Sequence, residues 1–210
     1  MIINFSSKNF KQRCNLLARV EPGFKAILDL YGYPPLWSRP PAFATLIHII
    51  LEHQVSLASA KAAFDKLKNK IGIITPARLL RLSDSEMRSC YFSRQKMGYA
   101  RDLAKAILSK KLVLKKLNSL SDEAIRVELK KVKGIGDWTV DVYLLFALQR
   151  ADIFPLGDLA MIKALKEIKA LPKDMSRMEI LKMSQSWKPN RSIATMLLWH
   201  HYIKTRNLKL

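Results

Sequence analysis

Asp158, in the run Phe154-Pro155-Leu156-Gly157-Asp158-Leu159, is a carboxylate at the start of a helical run. An aspartate between a glycine turn and a helical run either caps the helix, its usual job, or stabilises positive charge that develops in a reaction. Gly134-Ile135-Gly136 lies upstream, directly ahead of another helical run that starts at Asp137. The first turn of such a helix, with Gly134, Gly136 and Thr139, presents backbone N–H groups with no intrahelical partner, which is an anion site suited to a phosphate. A plain helical hairpin with a glycine turn has the same pattern, and Asp137 competes for the positive helix end. The indoles of Trp138 and Trp199 could each be core aromatics or offer a negative ring face to a cationic ligand. His48, His53, His200 and His201 lack the spacing of a metal site.

Almost every element that must position these groups reads as a helix. Apolar residues recur at helical spacing over Phe5–Leu17, Phe24–Leu30, Phe43–Glu52, Ala58–Asn69 and Lys96–Leu108. Thr75-Pro76 and Ser83-Asp84-Ser85-Glu86 carry helix-start chemistry, the second as a capping box. Ser121 caps a helix bearing Ile125, Leu129 and Val132. That helix breaks at the glycines and resumes over Asp137–Leu148, a run apolar nearly all round and therefore buried. Asp158 precedes a helix over Leu159–Ile168, while Asp137 and Asp141 read as structural, the second satisfying backbone near the hairpin. No run alternates like a half-buried strand, so the fold class is all-α, a two-lobed helical bundle.

The formal charge is +20, from 37 basic and 17 acidic residues, and the apolar fraction is 49%. Such a chain has ample core and an excess of cations that favours a polyanion, most commonly nucleic acid. The basic residues are spread through amphipathic segments, unlike the block of a membrane-surface protein. Two cysteines, Cys14 and Cys90, supply neither a disulfide framework nor a cysteine-ligated cluster. No apolar run spans a bilayer and no signal peptide is evident, so the expected location is intracellular: cytoplasm or nucleoid in a bacterium, nucleus in a eukaryote.

Four segments together carry more than each alone: Ile50-Leu51-Glu52-His53-Gln54-Val55-Ser56, the hairpin Lys133–Thr139, Phe154–Leu159, and Trp187-Lys188-Pro189-Asn190-Arg191-Ser192-Ile193-Ala194 with Trp199 beyond. In order and spacing, over roughly Pro41 to His200, they resemble the helix-hairpin-helix (HhH-GPD) superfamily of DNA glycosylases, in its 3-methyladenine DNA glycosylase II branch. The resemblance implies a DNA glycosylase fold whose middle helical lobe (residues 41–116) faces a hairpin-containing lobe (residues 1–40 with 117–210), with duplex DNA across the cleft. It implies that Asp158 is catalytic, that Trp138 and Trp199 line the base pocket, and that Gln54 fills the gap left by a flipped base. The hairpin residues Lys133, Gly134, Ile135, Gly136 and Thr139 would grip the DNA backbone. Main-chain carbonyls of Lys130, Val132 and Ile135 would hold an optional Na+ or K+; no other cofactor is expected.

The implied reaction is monofunctional hydrolysis of the N-glycosidic bond of alkylated purines, of the 3-methyladenine and 7-methylguanine type, in double-stranded DNA by a monomer in base excision repair. Trp138 occupies the place where bifunctional relatives carry a nucleophilic lysine. A bifunctional glycosylase/AP lyase and a non-catalytic DNA-binding hairpin protein are the alternatives. The chain departs from the family pattern in three ways. Lys133 replaces the usual hairpin proline, His53 replaces the first residue of a frequent Gln-Gln pair, and the separate N-terminal β-domain of some relatives has no counterpart.

Overall fold

The computed structural model describes residues 2–208 and is helical throughout, apart from an isolated antiparallel bridge between Asn4 and Arg150. Contacts divide the chain into two compact units. One takes the segment up to Ser38 together with the segment from Leu144 onward, and the other takes Arg39–Tyr143. The division differs from the lobes expected from sequence, because the hairpin goes with the middle segment. Its turn packs on Tyr99, and Thr139 is bonded to His53, so its local partners lie in residues 39–143.

The chain opens with α1 (Phe10–Val20) and α2 (Pro22–Tyr31), where Pro22 takes the first helical position. The first helix starts later than the expected Phe5. Residues 3–5 are drawn into extended pairing, with Phe5 N–H donating to Gln149 O at 2.9 Å and Ala151 N–H to Ile3 O at 2.8 Å. The middle unit then runs through α3 (Phe43–Glu52), α4 (Leu57–Ile71), α5 (Pro76–Leu80), α6 (Asp84–Ser89), α7 (Arg94–Leu108), α8 (Leu114–Leu117) and α9 (Asp122–Lys130). The caps read from sequence are present. Thr75 accepts from Arg78 N–H, Ser83 and Glu86 close a capping box, and Ser121 accepts from Ala124 N–H. Helix α7 packs on α3, α5 and α6, and Leu46, Ile50, Leu67, Leu79 and Leu103 are fully buried in this unit.

Helix α10 (Asp137–Phe146) follows the hairpin turn, and its Val140–Leu145 stretch is buried. The other unit is completed by α11 (Leu159–Ile168), α12 (Arg177–Met183), a 3-10 turn at Ser184–Trp187, and α13 (Arg191–Thr205). Its core joins Phe5, Leu17 and Phe24 from the start of the chain to Met161, Trp187 and Leu197 from its end. Trp187 fixes the entry to α13, 1% exposed, with its ring 5.0 Å from that of Phe24. No helix among the described residues is long and apolar enough to cross a membrane.

Candidate active site

Asp158 lies at the start of α11 in the unit that joins the two chain ends. A turn bends the chain into it, with Asp158 N–H donating to Pro155 O at 2.8 Å. Its Oδ1 accepts the Met161 N–H at 2.8 Å, so the capping reading holds. The same oxygen accepts the indole N–H of Trp199 at 3.0 Å. A carboxylate that is 8% exposed is thus held from two directions, with its orientation set before any ligand arrives. Leu159, the next residue, is 78% exposed, so the chain reaches the surface directly after the buried carboxylate.

Trp199 owes its position to the start of α13. Arg191 forms a fork on Asp152, with Nε at 2.8 Å from Oδ1 and a terminal nitrogen at 2.9 Å from Oδ2. Ser192 accepts from Ile153 N–H at 2.9 Å and donates to Arg150 O at 2.5 Å. These bonds pin the helix to the segment after α10, and Trp199 follows further along the same rigid rod, half-buried, with its ring 5.3 Å from that of Phe146. Asp152, in the turn after α10, is therefore the anchor of α13. The Asp158–Trp199 bond links residues 41 apart, and no local sequence signal announces it.

The middle unit holds the hairpin. Ile135 N–H donates to Val132 O at 3.1 Å, closing a tight turn after α9. Gly134 has φ +89°, and a methyl group built there would lie 2.2 Å from Cγ of Tyr99, so both conformation and space demand glycine. Gly136 differs: a methyl group there would meet nothing within 4 Å. Lys133 and Gly136 are exposed, whereas Ile135 and Thr139 are 5% and 2% exposed and turn their side chains inward. Ile135 and Thr139 thus belong to the packed interior of the hairpin.

The charge of Asp137 is met locally. Lys130 Nζ lies 2.9 Å from both its oxygens and Arg126 lies 3.1 Å from one, which holds the carboxyl below its ordinary range. Asp141 takes the other arm of Arg126 at 2.6 Å, where sequence predicted a backbone partner; burial pushes this carboxyl up against the arginine's pull. Two carboxylates and two cations leave the N-terminus of α10 close to neutral, and its helix-end field remains available to an anion.

Gln54 sits in the link between α3 and α4, exposed and in the left-handed region at φ 56°. Val55 and Leu57 beside it are 46% and 43% exposed. The link is tied at both ends. Lys96 Nζ donates to Leu51 O at 2.7 Å, and Ser56 caps α4 by accepting from Ser59 N–H at 3.1 Å.

Residues 47–190 match the family described as HhH-GPD superfamily base excision DNA repair protein. The chain belongs to that superfamily. The HhH-GPD match takes in Gln54, the hairpin and Asp158, and stops short of Trp199. A relative named DNA-3-methyladenine glycosylase 1, from Schizosaccharomyces pombe, is 30% identical over 190 residues, covering 87% of this chain and 83% of the relative. The alkylbase DNA glycosidase-like protein mag2 of the same yeast is 31% identical over 198 residues, covering 91% and 93%. Among solved structures, S. pombe 3-methyladenine DNA glycosylase (Mag1) in complex with abasic DNA superposes with a TM-score of 0.84 at 29% identity, covering 94% of this chain and 97% of that one. The HhH-GPD assignment gives the all-α architecture its name. It also makes base excision the setting in which Asp158 and the hairpin are to be understood.

Proposed function

We propose that this HhH-GPD protein excises alkylated purines from duplex DNA by monofunctional hydrolysis, with Asp158 as its catalytic residue. The observation that carries the reading is the Asp158 carboxylate, buried at a helix start that reaches the surface at Leu159, and held by Met161 N–H and the Trp199 indole. As the base leaves, positive charge builds on the sugar, and a preorganised carboxylate stabilises it and can orient water. One carboxylate suffices where the leaving group is already cationic, as ring-alkylated purines are. The Trp199 indole beside Asp158 is proposed to favour such rings, at roughly 0.5–2 kcal/mol per contact.

DNA is gripped through the backbone of the half-buried Gly134 and the exposed Gly136, the neutralised start of α10, and Lys133. Gln54 is proposed to enter the stack when the base is extruded. The carbonyls of Lys130, Val132 and Ile135 are a neutral oxygen set of the kind a monovalent cation takes, and Val132 O keeps a lone pair after accepting Ile135 N–H. A Na+ or K+ held there would add positive charge toward a phosphate.

Lyase chemistry needs a free amine at the sugar. Trp138 stands where the bifunctional relatives carry their nucleophilic lysine, which favours the monofunctional reading. The test is purine release from duplex DNA treated with a methylating agent, with Asp158→Asn alongside. Methylated purines released by wild type, a drop on the order of 10²–10³ in Asp158→Asn, and strand breaks only after alkali are expected. Breaks without alkali, or a borohydride-trapped adduct, would establish the lyase. Tight binding with no release from any lesion would leave a DNA-binding protein.

A further inference from the structure

His53 replaces a common glutamine, and the reaction outlined above gives it no part. Its imidazole Nε2 lies 2.9 Å from Thr139 Oγ1, in the first turn of α10. Its ring stands edge-on to Trp138, centroids 5.7 Å apart at 70°, and to Tyr99 at 6.5 Å and 65°. Tyr99 is the ring that fills the space over Gly134. One side chain therefore touches the start of α10, the aromatic beside it, and the support of the hairpin turn. On its other side it is joined by one peptide bond to Gln54, whose backbone stands in the left-handed region at φ 56°. For a non-glycine residue that conformation costs energy and persists only where the surroundings hold it.

We propose that His53 is a positioning residue that locks the Gln54 link to the second helix of the hairpin, so that both DNA-facing segments of this unit engage the duplex in one fixed register. The inference rests on the DNA reading of the hairpin and Gln54 given above. Burial, reinforced by Lys96 and opposed by Glu52, pushes the imidazole below its ordinary range, so the lock is a neutral ring at neutral pH. A neutral ring bonds Thr139 without bringing a second buried charge beside Lys96. The amide of glutamine reaches the same point as Nε2, and that of asparagine reaches only as far as Nδ1. Severing the lock frees the Gln54 backbone to relax while leaving the hairpin's phosphate contacts intact. Base extrusion and general DNA affinity then separate.

The experiment uses the full chain and a duplex carrying a tetrahydrofuran abasic analogue beside 2-aminopurine, whose fluorescence reports local unstacking. His53→Ala, His53→Gln, His53→Asn and Thr139→Val are compared with wild type, together with affinity for undamaged duplex and melting temperature. The lock predicts a roughly tenfold loss of lesion-specific unstacking in His53→Ala and in Thr139→Val, little further loss when the two are combined, and recovery in His53→Gln but not in His53→Asn. Undamaged-duplex affinity should stay within about twofold in the His53 variants. Equal behaviour of the glutamine and asparagine variants, or additive losses in the double variant, would overturn it. Should His53→Ala fail to fold, the glutamine–asparagine comparison and Thr139→Val decide alone. Wild-type unstacking without purine release would remove the functional reading only; purine release with unstacking indifferent to His53 would remove this inference only.

Discussion

Asp158 serves two purposes through one oxygen, and substitutions separate them. Asparagine caps a helix about as well as aspartate, so Asp158→Asn should melt within about 0.5 kcal/mol of wild type while losing catalysis. Asp158→Ala should lose both, with about 1 kcal/mol of stability gone with the cap. Equal melting of the two variants in denaturant titrations would show that the Met161 N–H bond contributes nothing. Trp199→Phe keeps an aromatic face, with a smaller ring, and removes the N–H that orients the carboxylate at 3.0 Å. A hydrogen bond to a charged group of this kind should be worth roughly tenfold or more in single-turnover release. A rate within twofold of wild type would leave Trp199 a pocket wall alone. From sequence, Asp158 was visible as a cap and, through its neighbours, as a candidate catalyst. Its bond to Trp199 was not, because a contact across 41 residues is fixed by the packing of α13 and has no local spelling.

Among the elements, the two hairpin glycines make opposite predictions. Gly134→Ala meets both the strain of φ +89° and the Tyr99 ring at 2.2 Å, so it should destabilise by about 1–3 kcal/mol. Gly136→Ala meets nothing within 4 Å, so its melting temperature should hold, and any loss should fall on affinity for duplex DNA. A stable Gly136→Ala protein with unchanged affinity would place the DNA backbone elsewhere. Elements with a chemical start signal were legible. Helix α3 was read with its observed bounds, and Ser83 with Glu86 gave α6 its capping box. The short α8 and α12 were not read, although Ser176 and Glu179 close a second capping box ahead of α12. The misplaced start of α1 has a tertiary cause, since helical spacing extends to Phe5 but its N–H is claimed by Gln149.

The whole molecule carries a pH signature in its histidines. Burial lowers all four, His48, His53, His200 and His201, from the ordinary value of 6.5. The unfolded chain therefore takes up protons first as pH falls, and the stability present above 6.5 is lost as pH drops through the lower folded values. Melting temperature should be flat above neutrality and fall in mild acid, in a window separate from carboxylate titration. A melting temperature that holds steady down to pH 5 would contradict this. The charge of +20 adds a steep decline of DNA affinity with salt.

The division of the chain has its own consequence during synthesis. Arg39–Tyr143 is one uninterrupted stretch and can close on itself as it leaves the ribosome. The other unit begins with α1 and α2, yet their apolar faces at Phe10, Leu17 and Phe24 meet α13 only after the whole of Arg39–Tyr143 and α11 has been made. Through that interval these two helices are unfinished surface, and a nascent chain stalled before α13 would expose them to chaperones and proteases. Premature termination even a few turns before Thr205 would spare the hairpin unit and orphan α1 and α2.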